Sequence, residues 1–184
     1  MEIRLALFGI GVLGLAYLSR ASLFRPRSHG FYRFFVWAAI LALFLINVPA
    51  WFKEPLSWHQ ILSWSLLLAS LVPLGFGVHA LRAHGHPGAT ARGEPELLAF
   101  ERTSRLVREG IFRYIRHPMY CSLLLLAWGV FLKTPSAAGG ALAIFSTVGL
   151  IRMAVVEEAE CLEAFGPEYR RYMQRSKRFV PFVF

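Results

Sequence analysis

Five apolar stretches separated by polar segments dominate the sequence. They cover about residues 5–18, 31–52, 56–81, 117–132 and 137–156. A helix that crosses the hydrocarbon core of a bilayer needs roughly 20 mainly apolar residues. The first and fourth stretches are short by this measure, so they must extend through weakly polar flanks or thin the bilayer locally. The pattern predicts an all-α integral membrane protein, a single domain over residues 1–184 with about five transmembrane helices.

The polar segments define how these helices are connected. Lys53-Glu54-Pro55 and Lys133-Thr134-Pro135-Ser136 are short enough to predict two helical hairpins. Residues 82–116 form a long polar loop, within which residues 95–107 have the spacing of a short interfacial helix. Residues 157–184 turn amphipathic and are broken at Gly166-Pro167, which predicts cytoplasmic helices able to roof a pocket.

Composition and charge agree with a membrane protein. The chain is 56% hydrophobic and 17% charged, whereas soluble domains carry about 25% charged residues. Of the 20 Lys and Arg residues, only Arg4, Lys53 and Lys133 fall on one side of the predicted topology. The positive-inside rule then places the N-terminus outside and the C-terminus in the cytoplasm, in the inner membrane of a microbe. The net charge of +9 is explained by this topology and by membrane lipids as partners, without nucleic acid.

The sequence shows no pattern typical of a metal or nucleotide site. Cys121 and Cys161 have no partner spacing, and the six His residues do not combine with Cys or Asp into a ligand set. Gly9-Ile10-Gly11 lies inside an apolar stretch rather than after a strand. We therefore expect no metal ion.

Arg116-His117-Pro118-Met119-Tyr120 stands where the fourth apolar stretch begins. A helix N-terminus carries unpaired N–H groups and a partial positive charge. Together with a guanidinium and an imidazole it suits a carboxylate or a phosphate. The alternative is that Arg116 and His117 only contact lipid headgroups.

A second polar group follows at the end of the fifth stretch. Glu157 and Glu158 could hold an ammonium group, and Glu158 could act as a general base. Alternatively, they are the solvated end of a helix. Arg152, inside apolar sequence, could snorkel or meet a substrate. Arg82 could do the same, or it could be a positive-inside stop signal.

These two groups resemble motifs of the isoprenylcysteine carboxyl methyltransferases and the related phospholipid N-methyltransferases. The similar residues are Leu106-Val107, Gly110-Ile111-Phe112, Arg116 to Tyr120, Glu157-Glu158, Phe165 to Tyr169, and Arg178 to Pro181. The resemblance implies transfer of a methyl group from S-adenosyl-L-methionine to a lipophilic acceptor at the cytoplasmic membrane face. It also implies catalytic roles at the acceptor for Arg152 and Arg82. By the same resemblance, the cofactor pocket would be lined by Leu106, Val107, Phe112, His117, Pro118, Met119, Tyr120 and Glu157.

The acceptor and two other functional classes stay open at this point. An isoprenylcysteine-like carboxylate is the first expectation, with a phospholipid amine or a thiol as alternatives. An NADPH-dependent membrane sterol-type reductase has a similar Arg-His-x-x-Tyr turn but is normally much longer. A non-catalytic membrane scaffold is the third possibility. The sequence does not predict the oligomeric state.

Overall fold

The computed structural model describes residues 2–85 and 105–180, and this part of the chain forms seven α-helices. Two short 3-10 turns, Val48–Ala50 and Gly110–Arg113, accompany them. The all-α class is confirmed for the described residues. The helices are α1 (Glu2–Leu18), α2 (Arg20–Leu23), α3 (His29–Asn47), α4 (Trp58–His84), α5 (Pro118–Phe131), α6 (Ala137–Phe165) and α7 (Pro167–Arg175).

Three helical segments of the described chain are long and apolar enough to cross a membrane: His29–Ala50, Trp58–His84 and Ala137–Phe165. The protein is therefore an integral membrane protein. Helix α1 has 17 residues and α5 has 14, fewer than the roughly 20 that a perpendicular span needs. The predicted number of five spans is not confirmed.

Local sequence explains where the helices begin and end. The side chains of Ser28 and Ser136 accept hydrogen bonds from the backbone N–H groups of Phe31 and Gly139, which caps α3 and α6. Helix α6 continues past Val156 to Phe165, and Gly166 ends it with φ of 54°. Glycine adopts a positive φ without steric strain because it has no Cβ. The chain can therefore turn sharply there, and α7 packs against α6.

Close helix packing forms the core. Helix α4 packs mainly on α5 and α3 on α6, while α1 lies along α3. A Cβ at Gly149 would lie 2.4 Å from Val36 Cγ2, and one at Gly129 would lie 3.0 Å from Leu67 side-chain atoms. The Ser63 hydroxyl also donates to the Gly129 carbonyl at 2.7 Å. Small residues thus allow the backbones of neighbouring helices to approach.

Different polar side chains lie at the two ends of the helix bundle. At one end, Lys133 is 1% exposed, donates to Gln60 Oε1 at 2.9 Å and lies 3.7 Å from the centroid of the Trp64 ring. At the other end lie the last turns of α4 and α6, the start of α5, and α7. The predicted helix at 95–107 falls mostly outside the described residues. The segment predicted to be helical over 157–184 is helical to Arg175, and residues 176–180 then run back towards α5.

Candidate active site

Two backbone segments lie side by side at this second end. Ile115 and Lys177 form an isolated parallel bridge. The Arg116 N–H donates to the Lys177 carbonyl at 2.7 Å, and the His117 N–H donates to the Arg178 carbonyl at 3.1 Å. The residues just before α5 are thereby held by the chain that follows α7, which fixes their side chains relative to α6.

Glu158 is the centre of a buried ionic cluster between these segments. Its carboxylate accepts from Arg116 Nε at 2.8 Å and from Arg178 Nη2 at 2.6 Å and Nε at 3.2 Å. The Glu158 side chain is 5% exposed, so this charge has little access to water. Arg116 also donates to the carbonyls of Met173 and Ser176. Buried charges with several charge-assisted hydrogen bonds hold a fixed geometry, and this cluster ties α6 to both segments.

His117 lies between two carboxylates. Its Nδ1 is 3.4 Å from Glu157 Oε2, and its Nε2 is 3.3 Å from Glu158 Oε1. The residue precedes the first residue of α5, outside the membrane-spanning helices. Burial lowers the pKa of His117, but the hydrogen bonds and charges of the two glutamates outweigh burial, so that its pKa is raised above the ordinary value. The imidazole is stacked on the Tyr120 ring, at 5.2 Å between ring centroids.

A cavity opens beside His117, between the start of α5, the end of α6 and α7. All eight side chains for which the resemblance implies cofactor binding line this cavity. Its wall is mainly apolar and aromatic, and Glu157, Arg116 and His117 provide the charges. The lining residues are Leu81, Leu106, Val107, Phe112, Arg116, His117, Pro118, Met119, Tyr120, Glu157, Cys161, Phe165, Tyr169 and Tyr172.

Tyrosines from α7 roof the cavity. The Tyr172 hydroxyl donates to the Phe112 carbonyl at 2.7 Å, and Tyr169 is 3% exposed. Burial raises the pKa of both phenols, so they stay neutral hydrogen-bonding groups. The amphipathic pattern after Val156 already indicated that this face could roof a pocket.

The lining chemistry fits S-adenosyl-L-methionine. Glu157 offers a carboxylate to an ammonium or sulfonium group, and the apolar wall suits an adenine ring. One expectation about the charges changes: His117 does not point a free N–H at an anion, because Glu157 and Glu158 face its two ring nitrogens. Arg116 also lines the cavity; its Nε and Nη1 bind Glu158 and the Met173 and Ser176 carbonyls, so it could offer a further carboxylate only its Nη2.

The three residues predicted to be catalytic are not among the cavity-lining residues. Arg82 and Arg152 are exposed on α4 and α6, and Glu158 lies behind His117, bound to two arginines. Their catalytic roles stay predictions. Sequence reasoning assigned Arg178 no role at this site and found no partner spacing for Cys161. Arg178 does belong to a motif that the sequence shares with the methyltransferases, and this signal could have drawn attention to it.

Comparison with known proteins agrees with this assembly of motifs. Residues 96–168 match the model of the phospholipid methyltransferase family. The match covers 73 of the 184 residues, so this part of the chain is similar to that family. The match includes α5 and α6, ends at the second residue of α7 and does not include α1 to α4. It contains 11 of the 14 residues that line the cavity.

Two curated relatives are similar over a segment of about the same length as the family match. Methanethiol S-methyltransferase 1 of Bradyrhizobium diazoefficiens is 31% identical over 72 residues, 39% of this chain and 24% of the relative. Methanethiol S-methyltransferase of Pseudomonas deceptionensis is 32% identical over 73 residues, 39% of this chain and 26% of the relative. The chain thus matches about a quarter of the length of these relatives. No solved structure matches.

Proposed function

We propose that the protein is an S-adenosyl-L-methionine-dependent methyltransferase that methylates a small lipophilic thiol at the cytoplasmic membrane face. The observation that carries the proposal is the cavity, where a single charged carboxylate, Glu157, is held by His117 inside a largely apolar wall. This wall includes all eight residues implied by the family motifs. The family and the relatives' names support methyl transfer, and the donor and acceptor are proposals.

The residues of the chain would bind and orient the donor, which supplies an electrophilic methyl group on a sulfonium. Glu157 would bind the ammonium group, and Arg116 the carboxylate. Leu106, Val107 and Phe165 would pack on the adenine. Methyl transfer is an in-line displacement that depends on alignment and a water-poor pocket more than on a strong base, which suits a cavity with a mainly apolar and aromatic wall.

A thiol acceptor suits the cavity for two reasons. Both curated relatives are named for S-methylation of a thiol, and neither name mentions the isoprenylcysteine carboxylate that was the first expectation. In addition, a neighbouring Arg or imidazolium favours a thiolate, which is the nucleophilic form. Arg116 and His117, whose pKa is raised, both line the cavity.

Cofactor binding is the first test. S-adenosyl-L-methionine is titrated into the detergent-solubilised protein in a calorimeter, with NADPH as the comparison ligand. Glu157→Gln should weaken binding by about 10–100-fold, the usual value of about 1.5–3 kcal/mol for a hydrogen bond to a charged group. Glu163→Gln, an exposed acid on the same helix, is the matched control and should bind as wild type does. Binding of NADPH instead of S-adenosyl-L-methionine would support the alternative that the protein is a sterol-type reductase.

The acceptor is tested separately with the same protein. A volatile alkanethiol, an isoprenylcysteine analogue and phosphatidylethanolamine are each incubated with methyl-labelled donor, and the labelled product is identified. We expect label in the thioether. Methyl ester or methylated amine as the main product would replace the thiol by one of the alternative acceptors while leaving the methyltransferase proposal intact. If the wild-type protein binds the donor but methylates none of these acceptors, the result would favour the alternative of a non-catalytic membrane scaffold.

A further inference from the structure

A groove separate from the cavity lies beside α7. It is lined by the exposed side chains of four arginines and by Tyr114, with Glu168 as its one acid. Tyr172 separates this groove from the cavity, because its side chain borders both. We call it the arginine groove. Its lining residues are Arg108, Arg113, Tyr114, Glu168, Arg171, Tyr172 and Arg175.

The charges of the arginine groove are unbalanced. Arg108 pairs with Glu168 at 2.8 Å, which uses the groove's only carboxylate. Arg113, Arg171 and Arg175 have no ion pair with any residue of 2–85 or 105–180 and are exposed. Three guanidinium groups therefore face one groove without a protein counter-charge from the described residues. A guanidinium presents a planar fork of N–H donors that matches phosphate oxygens.

The depth of the groove in the membrane indicates which phosphate it would meet. Helix α6 has 29 residues, which is about 44 Å at 1.5 Å per residue, whereas the hydrocarbon core is about 30 Å thick. The last two to three turns of α6 therefore project beyond the core, and α7 packs on α6 there. From these lengths we infer that the groove lies at the level of the lipid phosphates. Tyr114, 48% exposed, is an aromatic side chain suited to that interface.

We propose that the arginine groove binds the phosphate of an anionic phospholipid headgroup, from the membrane leaflet at the α7 end of the bundle. The proposal does not depend on methyl transfer. An Arg near an anionic surface contributes about 1 kcal/mol to binding, so three of them amount to about 100-fold in affinity. The lipid would hold α7 against the membrane surface over the cavity.

The test compares two triple variants that lose the same charge. Arg113→Gln/Arg171→Gln/Arg175→Gln removes the unpaired charges of the groove. Arg20→Gln/Arg27→Gln/Arg170→Gln removes three exposed charges outside it. The protein is prepared in a neutral detergent with equal amounts of phosphatidylglycerol and phosphatidylcholine. Native mass spectrometry then counts how many molecules of each lipid stay bound. Wild type and control should prefer phosphatidylglycerol, and the groove variant should bind it about 100-fold more weakly.

Three results would overturn the proposal. The groove variant could retain wild-type affinity for phosphatidylglycerol. The control could lose affinity equally, which would assign the effect to net charge. Inorganic phosphate could displace phosphatidylglycerol completely at low millimolar concentration, which would indicate a site for a small free anion. Should the triple variant fail to fold, Arg113→Gln alone should weaken binding about fivefold, and unchanged binding there would count against the groove.

Discussion

Removing the charge of Glu158 is expected to destabilise the protein strongly without altering its shape. Glu158→Gln keeps the size of the side chain but leaves Arg116 and Arg178 without the carboxylate that they share at 2.8 and 2.6 Å. The Arg116 and Glu158 side chains are 9% and 5% exposed. Removing one partner of a buried ion pair costs about 3–5 kcal/mol. Because Arg178 is more exposed, at 22%, we take the lower value, about 3 kcal/mol, which amounts to about 6–12 °C in the unfolding midpoint.

The assay is thermal unfolding of the detergent-solubilised protein, followed by tryptophan fluorescence and by circular dichroism. Arg178→Gln should cost less than Glu158→Gln, because Arg116 still pairs with Glu158. The double variant should cost less than the sum of the two single ones, since both act on one cluster. Glu163→Gln, on the exposed face of α6, should change stability by less than about 0.5 kcal/mol. If Glu158→Gln unfolds within about 2 °C of Glu163→Gln, the cluster does not hold the segments together and the reasoning is wrong.

Three further predictions concern other contacts of the site and the bundle. Tyr172→Phe removes the hydrogen bond to the Phe112 carbonyl and should cost about 1–3 kcal/mol of unfolding free energy, because that carbonyl is then left without its hydroxyl donor; urea unfolding measures it, and an unchanged value would contradict the bond. Gly149→Ala places a methyl group 2.4 Å from Val36 and should cost about 1–3 kcal/mol by overpacking, whereas Gly9→Ala, with open space around it, should not destabilise the protein in the same assay. The raised pKa of His117 stabilises the folded state fully below its unfolded pKa of about 6.5, and this stability is lost as pH rises through the higher folded value. The unfolding midpoint should therefore fall as pH rises above about 6.5 in wild type and change less in His117→Gln; equal pH profiles would contradict the raised pKa of His117.

The sequence predicts the fold and the cavity better than the ionic contacts behind it. Helix positions follow from apolar runs and capping residues, as at Ser28 and Ser136, because these are local signals. The eight lining residues implied by the family motifs lie together. The position of Arg178 could not be predicted, because it depends on how the chain returns after α7, and the single bridge between Ile115 and Lys177 leaves no periodic pattern in the sequence.

Lys133 shows the same limit at the opposite end of the bundle. By sequence it is one of three basic residues assigned to the outer side, and an exposed ammonium is the usual expectation for such a residue. In the structure it is buried beside Trp64 and bound to Gln60. The hydropathy pattern shows only where Lys133 lies along the chain. Its contacts with Gln60 and Trp64 depend on how two helical hairpins pack, which the pattern does not show.

The pairing of residues 114–117 with residues 176–178 has a consequence for the order in which the protein is made. Ser176 follows Arg116 by 60 residues, so a ribosome working at about 5–20 residues per second reaches it about 3–12 s later. Until residues 176–178 are made, Arg116 lacks its contacts with Ser176 and Lys177, and Glu158, once made, lacks Arg178. The long apolar helices can enter the bilayer earlier, because their insertion depends on their own hydrophobicity. Membrane insertion and the pairing of residues 114–117 with residues 176–178 are therefore separate events in biosynthesis. A nascent chain halted before residue 176 would be embedded in the membrane without the contacts that hold the start of α5.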